Sequence, residues 1–328
     1  MSKMSTDPTR FALNGPTMGT RWSAIFHSAP HFDTAPLHAA LQAAADEVDG
    51  QMSTWKPLSD LMRLNAAPVG AWQAVPMPLL EVIALGCKIG EASHGAFDIG
   101  MGDAVTAWGF GPDAADPAQI SRAIAGPPVP ISTRLTLDVA GGRLRKTAPV
   151  TLDLNGIAKG YGVDLLADTL TAFGIAAGLV GIDGEMRALG LRPDGSPWTI
   201  AVEAPDPDRR APHSVLALHD AAVATSGDYR HWVTVGGRRL SHTMDPQRGA
   251  PLLSSPASVT VVARTCAEAD AWATALMVLG ADAGATLADQ HGLQVLFMIR
   301  DDAGTLRSMG VGPLFSSEQT KSTTAMKV

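Results

Sequence analysis

Residues 150–182, VTLDLNGIAKGYGVDLLADTLTAFGIAAGLVGI, decide the fold. Residues 150–154 alternate as a strand, 157–173 carry apolar residues at helical spacing, and 177–182 return to a strand pattern. Outward from this unit the two halves of the chain differ. On the N-terminal side, residues 36–51 and 77–92 read as helices, and 20–27 as a strand after the turn-like Gly15 to Gly19. On the C-terminal side short strands dominate: 198–202, 258–263, and hairpins 229–235/238–244 around Gly236-Gly237 and 293–300/305–309 around Asp302 to Gly304. A further hairpin, 135–139/144–146, precedes the central unit, and a helix spans 267–279. Helices early and strands late, with few helices between, predict an α+β fold rather than a doubly wound parallel sheet. Residues 109–130, rich in Gly, Pro and Asp, read as a long surface excursion. Residues 1–10 and 315–328 read as flexible tails around one domain at 11–314, since no linker forces a boundary.

Composition narrows the function. Of 328 residues 46% are hydrophobic and 17% charged, against about 25% charged in an average protein, which excludes a disordered chain. A net charge of -7 with no basic run excludes general nucleic-acid binding. No run reaches the ~18 apolar residues of a membrane span. Cys87 and Cys266, the only cysteines, make neither a zinc site nor a disulfide framework. The N-terminus has no apolar h-region, so the chain reads as cytoplasmic; a leader removed from it would place it in the periplasm instead.

Four segments carry candidate chemistry. In DLNGIAKGYGVD (153–164) a strand runs into a helix through Gly156. Backbone N–H groups at such a turn, with Lys159, suit an anion; a tight connection with a solvated lysine fits the residues equally. In TCAEADAWATALMVL (265–279) Thr265 and Glu268 form a capping box. Asp270 and Thr274 then share one face of an apolar helix. A hard cation takes such oxygens; alternatively Asp270 complements the helix dipole and Thr274 bonds its own helix backbone. In TSGDYRHWVTVGGRRLSHTMDPQRG (225–249) a two-residue Gly-Gly turn pairs Val235 with Arg238 and sets His231 opposite His242. That gathers Ser, Asp and His at one end of a hairpin, fit for acid–base work or for packing alone. In HGAFDIGMG (94–102) the small residues around Ala96, Phe97 and Asp98 let a flat ligand approach the backbone, or simply seat Phe97 in the core.

These segments, with Thr17-Met18-Gly19-Thr20 and MSTWKPLSDLMRLN (52–65), resemble the blocks of the FAD:protein FMN transferase family, the ApbE flavin transferases, in order and spacing from Thr17 to about Arg300. The matching pieces are TMGT, MSTWKPLSDLMRLN, GAFDIGMG, DLNGIAKGYGVD, TSGDY, HTMDPQRGAP and the AD-x3-T helix. The resemblance implies a T-shaped α+β fold with mixed or antiparallel sheets and FAD in a cleft between lobes. It implies Mg²⁺-dependent transfer of FMN from FAD to a Thr or Ser hydroxyl of an acceptor flavoprotein, with release of AMP. Asp270, Thr274 and the Gly156 carbonyl match the metal ligands. Met18, Trp55, Ala96, Phe97, Asp98, Asp153, Lys159 and, through its main chain, Thr243 match FAD contacts. His242 matches the family's histidine and is expected to act as base or orienter for the acceptor hydroxyl, with Asp245 assisting.

Two residues depart from the family pattern. Trp55 stands where Tyr is usual, keeping a stacking surface without the phenolic hydroxyl, and Asn155 stands where Ser is frequent. Trp55 bears on the balance between transfer to protein and hydrolysis. The alternatives are therefore an FAD pyrophosphatase giving FMN and AMP, and a non-catalytic FAD-storage protein.

Overall fold

The computed structural model describes residues 8–126, 129–206, 211–228, 232–235, 238–301 and 304–315. β1 (Thr9–Thr17) and β2 (Thr20–Ser28) pair antiparallel without a break, from Thr9 opposite Ser28 to Thr17 opposite Thr20. Only Met18 and Gly19 turn the chain, with φ of 44° and 71°, the doubly positive geometry that matches strand twist. The strand thus starts inside the span read as a tail and runs through most of the span read as a turn; residues 1–7 lie outside the described residues.

Helix α1 (Thr34–Met52) starts at Asp33, whose side chain accepts from Ala35 N, and buries Leu37, Leu41, Ala44, Ala45, Val48 and Met52. α2 (Asp60–Ala66), β3 (Gln73–Ala74) and α3 (Met77–Ala92) follow. α4 (Gly102–Ala107) comes next, and the stretch 109–130 read as a surface excursion holds a helix, α5 (Pro117–Ala125). α5 is set by the Asp116 cap and Pro117 at its first turn, and it buries no residue fully; its short apolar stripe, Ile120, Ala123 and Ile124, is lost among the flanking Gly, Pro and Asp. α6 (Ile131–Arg134) leads into β4 (Leu135–Asp138) and β5 (Arg143–Lys146), the expected hairpin, which β3 extends to a small sheet.

Residues 150–154 form no strand. They are extended but pinned singly: Leu152 N donates to Asn65 Oδ1 and Asp153 N to Ile99 O, each at 2.8 Å. The alternation reports buried Leu152 and Leu154, which a loop-held segment satisfies without a sheet partner. The rest of the central unit is as read: α7 (Ala158–Ala172), then β6 (Gly178–Ile182).

Beyond it run β7 (Glu185–Leu189), β8 (Trp198–Glu203), β9 (Pro212–Leu218), β10 (Ala221–Gly227), β11 (Trp232–Val235), β12 (Arg238–Ser241), β13 (Met244–Asp245), β14 (Ala250–Pro251) and β15 (Ser258–Ala263). α8 (Cys266–Leu279), α9 (Ala281–Gln290), β16 (Gln294–Arg300) and β17 (Leu306–Val311) complete the described chain. Val235 does pair with Arg238. His231 lies outside the described residues, and His242 sits at a bend after β12. Residues 316–328 of the C-terminal span also lie outside the described residues.

Eight strands form the main sheet in the order β1-β2-β6-β7-β10-β15-β16-β17, and every neighbouring pair is antiparallel. One face is covered by α1, α7 and α8; Trp22, Phe26, Val180 and Ile182 meet Leu37, Leu41, Leu166 and Leu170 there. α8 lies deepest because Ala267, Ala269, Ala271, Ala273 and Ala275 let it approach closely. The β8–β9 hairpin covers the other face, with Trp198, Ile200, Leu216 and Leu218 against Leu179, Val223 and Leu296. Among the described residues no helix is long and apolar enough to cross a membrane.

Candidate functional site

The fold leaves a cavity of about 1240 Å³, larger than the ~300–1,000 Å³ of common small-molecule sites, so it suits an extended ligand. Met18, Trp55, Ala96, Phe97, Asp98, Asp153, Gly156, Lys159, His242, Thr243, Asp270 and Thr274 all line it. Segments separated by up to two hundred and more residues therefore meet at one cavity.

The polar end is built by α7 and α8. Asp270, only 5% exposed, accepts from Gly160 N in the first turns of α7 at 3.1 Å. Burial, and then the neighbouring Glu185, push its carboxyl well above the usual range. Its Oδ1 accepts no hydrogen bond among the described residues. Thr274, one turn on, does not bond its own helix backbone; its Oγ1 lies 3.2 Å from Ser226 Oγ on β10. Gly156 is the third member: a Cβ there would fall 3.1 Å from Thr274 Oγ1 and 3.1 Å from Phe97, so a side chain at that point would press on both. The capping box holds in modified form, for Glu268 N donates to Thr265 Oγ1 at 3.3 Å and the Thr265 hydroxyl donates to Glu268 Oε2 at 3.1 Å.

Lys159 is not a solvated lysine. Its Nζ is 2.9 Å from Glu185 Oε1 and 3.8 Å from Asp183 Oδ2. Burial opposes its charge, but Glu185, Asp270 and Asp183 outweigh that and push its pKa up to about 12. Glu185 was not picked out in the sequence. It is 4% exposed, and its Oε2 is buried without a hydrogen-bond partner. A lysine read as functional and bound for a cavity needs a counter-charge, and that was the one signal available.

Asp153 accepts from Asn155 N and from Asn155 Nδ2, each at 2.9 Å; burial pushes its carboxyl up to about 6. Asp98 accepts from Gly100 N at 2.6 Å and has Arg134 3.9 Å away, yet burial keeps its carboxyl above the usual range. The apolar wall is Met18, Val48, Met52, Ala96, Phe97, Val105 and Phe110. Trp55, 61% exposed, stands at the rim. Met18 takes its positive φ at the β1–β2 tip, and Asp183 (φ 55°) does so at the β6–β7 tip, so two hairpin ends form part of the wall.

His242 lines the cavity, whereas Asp245 is absent from its lining. Asp245 Oδ1 accepts from Gln247 N at 2.9 Å and its carbonyl accepts from Gly249 N at 2.9 Å. It shapes the turn that carries His242, and this placement gives no support to the expected assisting role. Thr243 is buried; its N–H donates to Ser241 Oγ at 3.3 Å and its carbonyl accepts from Leu252 N at 3.0 Å. The α4–α5 segment braces this loop, since Trp108 Nε1 donates to the Gly249 carbonyl at 3.0 Å. Met101, Val105, Gly109 and Phe110 from that segment also line the cavity, a contribution the sequence reading lacked.

An antiparallel sheet backed by α1, α7 and α8, with a cavity that joins an apolar wall to a carboxylate–hydroxyl pair and a lysine, defines an α+β protein with a site for a large ligand that has apolar and charged parts. Comparison with known proteins makes the class specific. The ApbE family model matches residues 18–297. The FAD:protein FMN transferase of Vibrio cholerae is 37% identical over 301 residues, covering 89% of this chain and 88% of that protein. The FAD:protein FMN transferase of Escherichia coli K12 is 34% identical over 311 residues, covering 93% and 88%. Among solved structures, the flavin transferase ApbE from Vibrio cholerae superimposes with a TM-score of 0.81 at 35% identity over 93% of this chain and 98% of that one. The apo flavinyl transferase ApbE of Pseudomonas stutzeri does so with 0.81 at 37% identity over 95% and 96%. The chain belongs to the ApbE family.

Proposed function

We propose that this chain transfers the FMN moiety of FAD to a Thr or Ser hydroxyl of an acceptor flavoprotein, releasing AMP, with Mg²⁺ as the required cation. The observation that carries the reading is the placement of Asp270, Thr274 and Gly156 beside Lys159 at the polar end of a dinucleotide-sized cavity.

The residues fit a hard cation. No group of three or more His, Cys, Asp or Glu among the described residues can hold a metal, so a cation here relies on few protein oxygens. That is the habit of Mg²⁺, which binds through one or two carboxylates plus substrate phosphates. Asp270 Oδ1, Thr274 Oγ1 and the Gly156 carbonyl are the oxygens on offer. Asp49, Asp98, Asp153, Asp183, Glu185, Glu203 and Asp270 line the cavity against Lys56 and Lys159. A diphosphate entering that field is repelled unless a cation accompanies it. When bound, Mg²⁺ offsets charge on the diphosphate and on the departing phosphate.

The protein's own work is positioning. The apolar wall and Trp55 hold the flavin or adenine rings, and Lys159, kept charged by Glu185 and Asp183, faces phosphate oxygens. The acceptor hydroxyl forms a bond to the FMN phosphorus, and the bond from that phosphorus to the bridging oxygen breaks. AMP leaves with the bridging oxygen and the electron pair, while the hydroxyl proton passes to His242.

The test is incubation with FAD and Mg²⁺, with and without an acceptor carrying the Thr or Ser. Flavin fluorescence fixed to the acceptor on a denaturing gel supports transfer, and His242→Ala should retain FAD but label the acceptor far more slowly. AMP released equally fast without an acceptor would make the chain a pyrophosphatase instead. Tight FAD binding with no AMP under any condition would make it a storage protein.

A further inference from the structure

A hydroxyl has one proton and two lone pairs, so the 3.2 Å contact between Ser226 Oγ and Thr274 Oγ1 can run either way. Ser226 lies near the end of β10, opposite Val259 of β15. Thr274 lies mid-way along α8. Both line the cavity. Thr225, the adjacent hydroxyl on β10, is engaged elsewhere, its Oγ1 2.9 Å from Thr260 Oγ1. Among the described residues Ser226 is therefore the one side chain hydrogen-bonded to Thr274.

We propose that Ser226 is a positioning residue: it accepts the Thr274 hydroxyl proton and so turns the Thr274 lone pairs toward a divalent cation in the cavity. This rests on the cation reading given above and adds a residue to it. An oxygen that ligates a cation must aim a lone pair at it and send its proton elsewhere. Were Ser226 the donor, its proton would occupy one Thr274 lone pair, and the Thr274 proton would be free to point at the cation. With Thr274 as donor, both of its lone pairs stay free. The Ser226 proton is then released toward the cavity, where a phosphate oxygen can take it. Without Ser226, a helical threonine has a ready alternative, because its proton can go to the carbonyl four residues back on its own helix. That rotation would point the lone pairs away from Gly156 and Asp270.

The experiment is a titration of the protein with Mn²⁺, following the electron paramagnetic resonance signal of the free ion. It compares wild type, Asp270→Asn, Ser226→Ala, Ser226→Cys and Ser226→Thr, with circular dichroism and thermal midpoints to establish folding. Partners that orient a metal ligand are worth about 10–100-fold in affinity. Ser226→Ala should therefore bind Mn²⁺ at least tenfold more weakly than wild type. Ser226→Thr, which keeps the hydroxyl, should restore binding to within a few-fold of wild type. Ser226→Cys, close in size but a weak acceptor, should fall between them, and it carries the test if Ser226→Ala does not fold. Ser226→Ala or folded Ser226→Cys matching wild type, while Asp270→Asn loses the ion, would overturn the role of Ser226 and leave the cation reading standing. A wild-type protein with no Asp270-dependent Mn²⁺ binding would remove both.

Discussion

Gly160 is where α7 meets α8, and replacing it with alanine is the sharpest test of that contact. A Cβ at Gly160 would lie 2.4 Å from the Cys266 carbonyl oxygen and 2.8 Å from Ala267 Cα. Non-bonded atoms rest at ~3.5–4.0 Å, so the helices must part by roughly 1 Å. Backbone on the far side cannot rotate away as a side chain does. Gly160 N also donates to Asp270 Oδ2 at 3.1 Å, and parting weakens that bond. Overpacking costs about 1–3 kcal/mol and a hydrogen bond to a carboxylate about 1.5–3, against a helix-propensity gain of about 1, leaving a net loss of roughly 1.5–5 kcal/mol. Gly162→Ala is the internal control. On the same helix, its Cβ would press on the ends of flexible side chains, Ile182 Cδ1 at 2.9 Å and Met18 Cε at 3.4 Å, with Val48 Cγ1 in ordinary contact at 3.8 Å, and the propensity gain offsets most of that. Urea or thermal denaturation of both variants decides the matter. Gly160→Ala should be the less stable by at least about 1.5 kcal/mol and should lose AMP release even where it is folded. Equal stability of the two variants would show that the helices do not touch at Gly160.

Two further outcomes follow from the charges in the cavity. Glu185→Gln keeps an acceptor for Lys159 but removes a negative charge near Asp270; at an effective dielectric of ~20 such a charge is worth on the order of 1 kcal/mol. FAD binding measured by flavin fluorescence in EDTA should therefore tighten about fivefold, and weaker binding in EDTA would contradict the placement of that charge. Asp153 has its carboxyl raised from 3.8 to about 6 by burial, so the folded protein holds that proton more tightly than the unfolded chain does. Its contribution to stability is present below about pH 4 and lost as pH rises through about 6. Asp153→Asn should thus gain stability over wild type at pH 8, by at most about 3 kcal/mol, and the gap should shrink toward pH 4; a gap constant with pH would refute this.

Where a segment's own periodicity decided its structure, the sequence was easy to read. β15, read as 258–263, is Ser258–Ala263, and the helix read as 267–279 is Cys266–Leu279. The elements that escaped lack that signal. α9 buries only Gly284, Leu287 and Ala288, and α5 buries none, so neither shows a run of large apolar residues. β7 is five residues long, and its pairing with β10 spans only Ala221 to Val223; it is the sheet that makes it a strand. The site divides the same way. Ala96, Phe97, Asp98, Asp153, Gly156, Lys159, Asp270 and Thr274 stand in motifs and all line the one cavity. Glu185 and Trp108 matter only through partners 26 and 141 residues away, and no local pattern encodes such distances; Ser226 stood in a motif, but its partner 48 residues on did not show.

Two of those motifs are one physical object. The first turn of α8 is closed by a residue of α7: Asp164, 8% exposed, accepts from Cys266 N at 2.8 Å and Ala267 N at 2.9 Å. The start of α7 is contacted in return by Asp270 of α8 through Gly160 N. Each helix N-terminus leaves N–H groups unsatisfied and favours negative charge, and here each is met by a carboxylate from the other helix. Arg187 Nη1, 2.8 Å from Asp164 Oδ1, offsets the charge on the outer member of the pair; Lys159, through Coulomb attraction, offsets it on the inner one. The segments 153–164 and 265–274 therefore cannot shift independently. Asp270 is held at a fixed offset from Gly156 and Lys159 by bonds made one to two turns away, partly outside the cavity. Asp164 is absent from the cavity lining, yet it fixes where the cavity's carboxylate stands. Small residues at Gly160 and Ala267 permit the approach, and the paired carboxylates set its register.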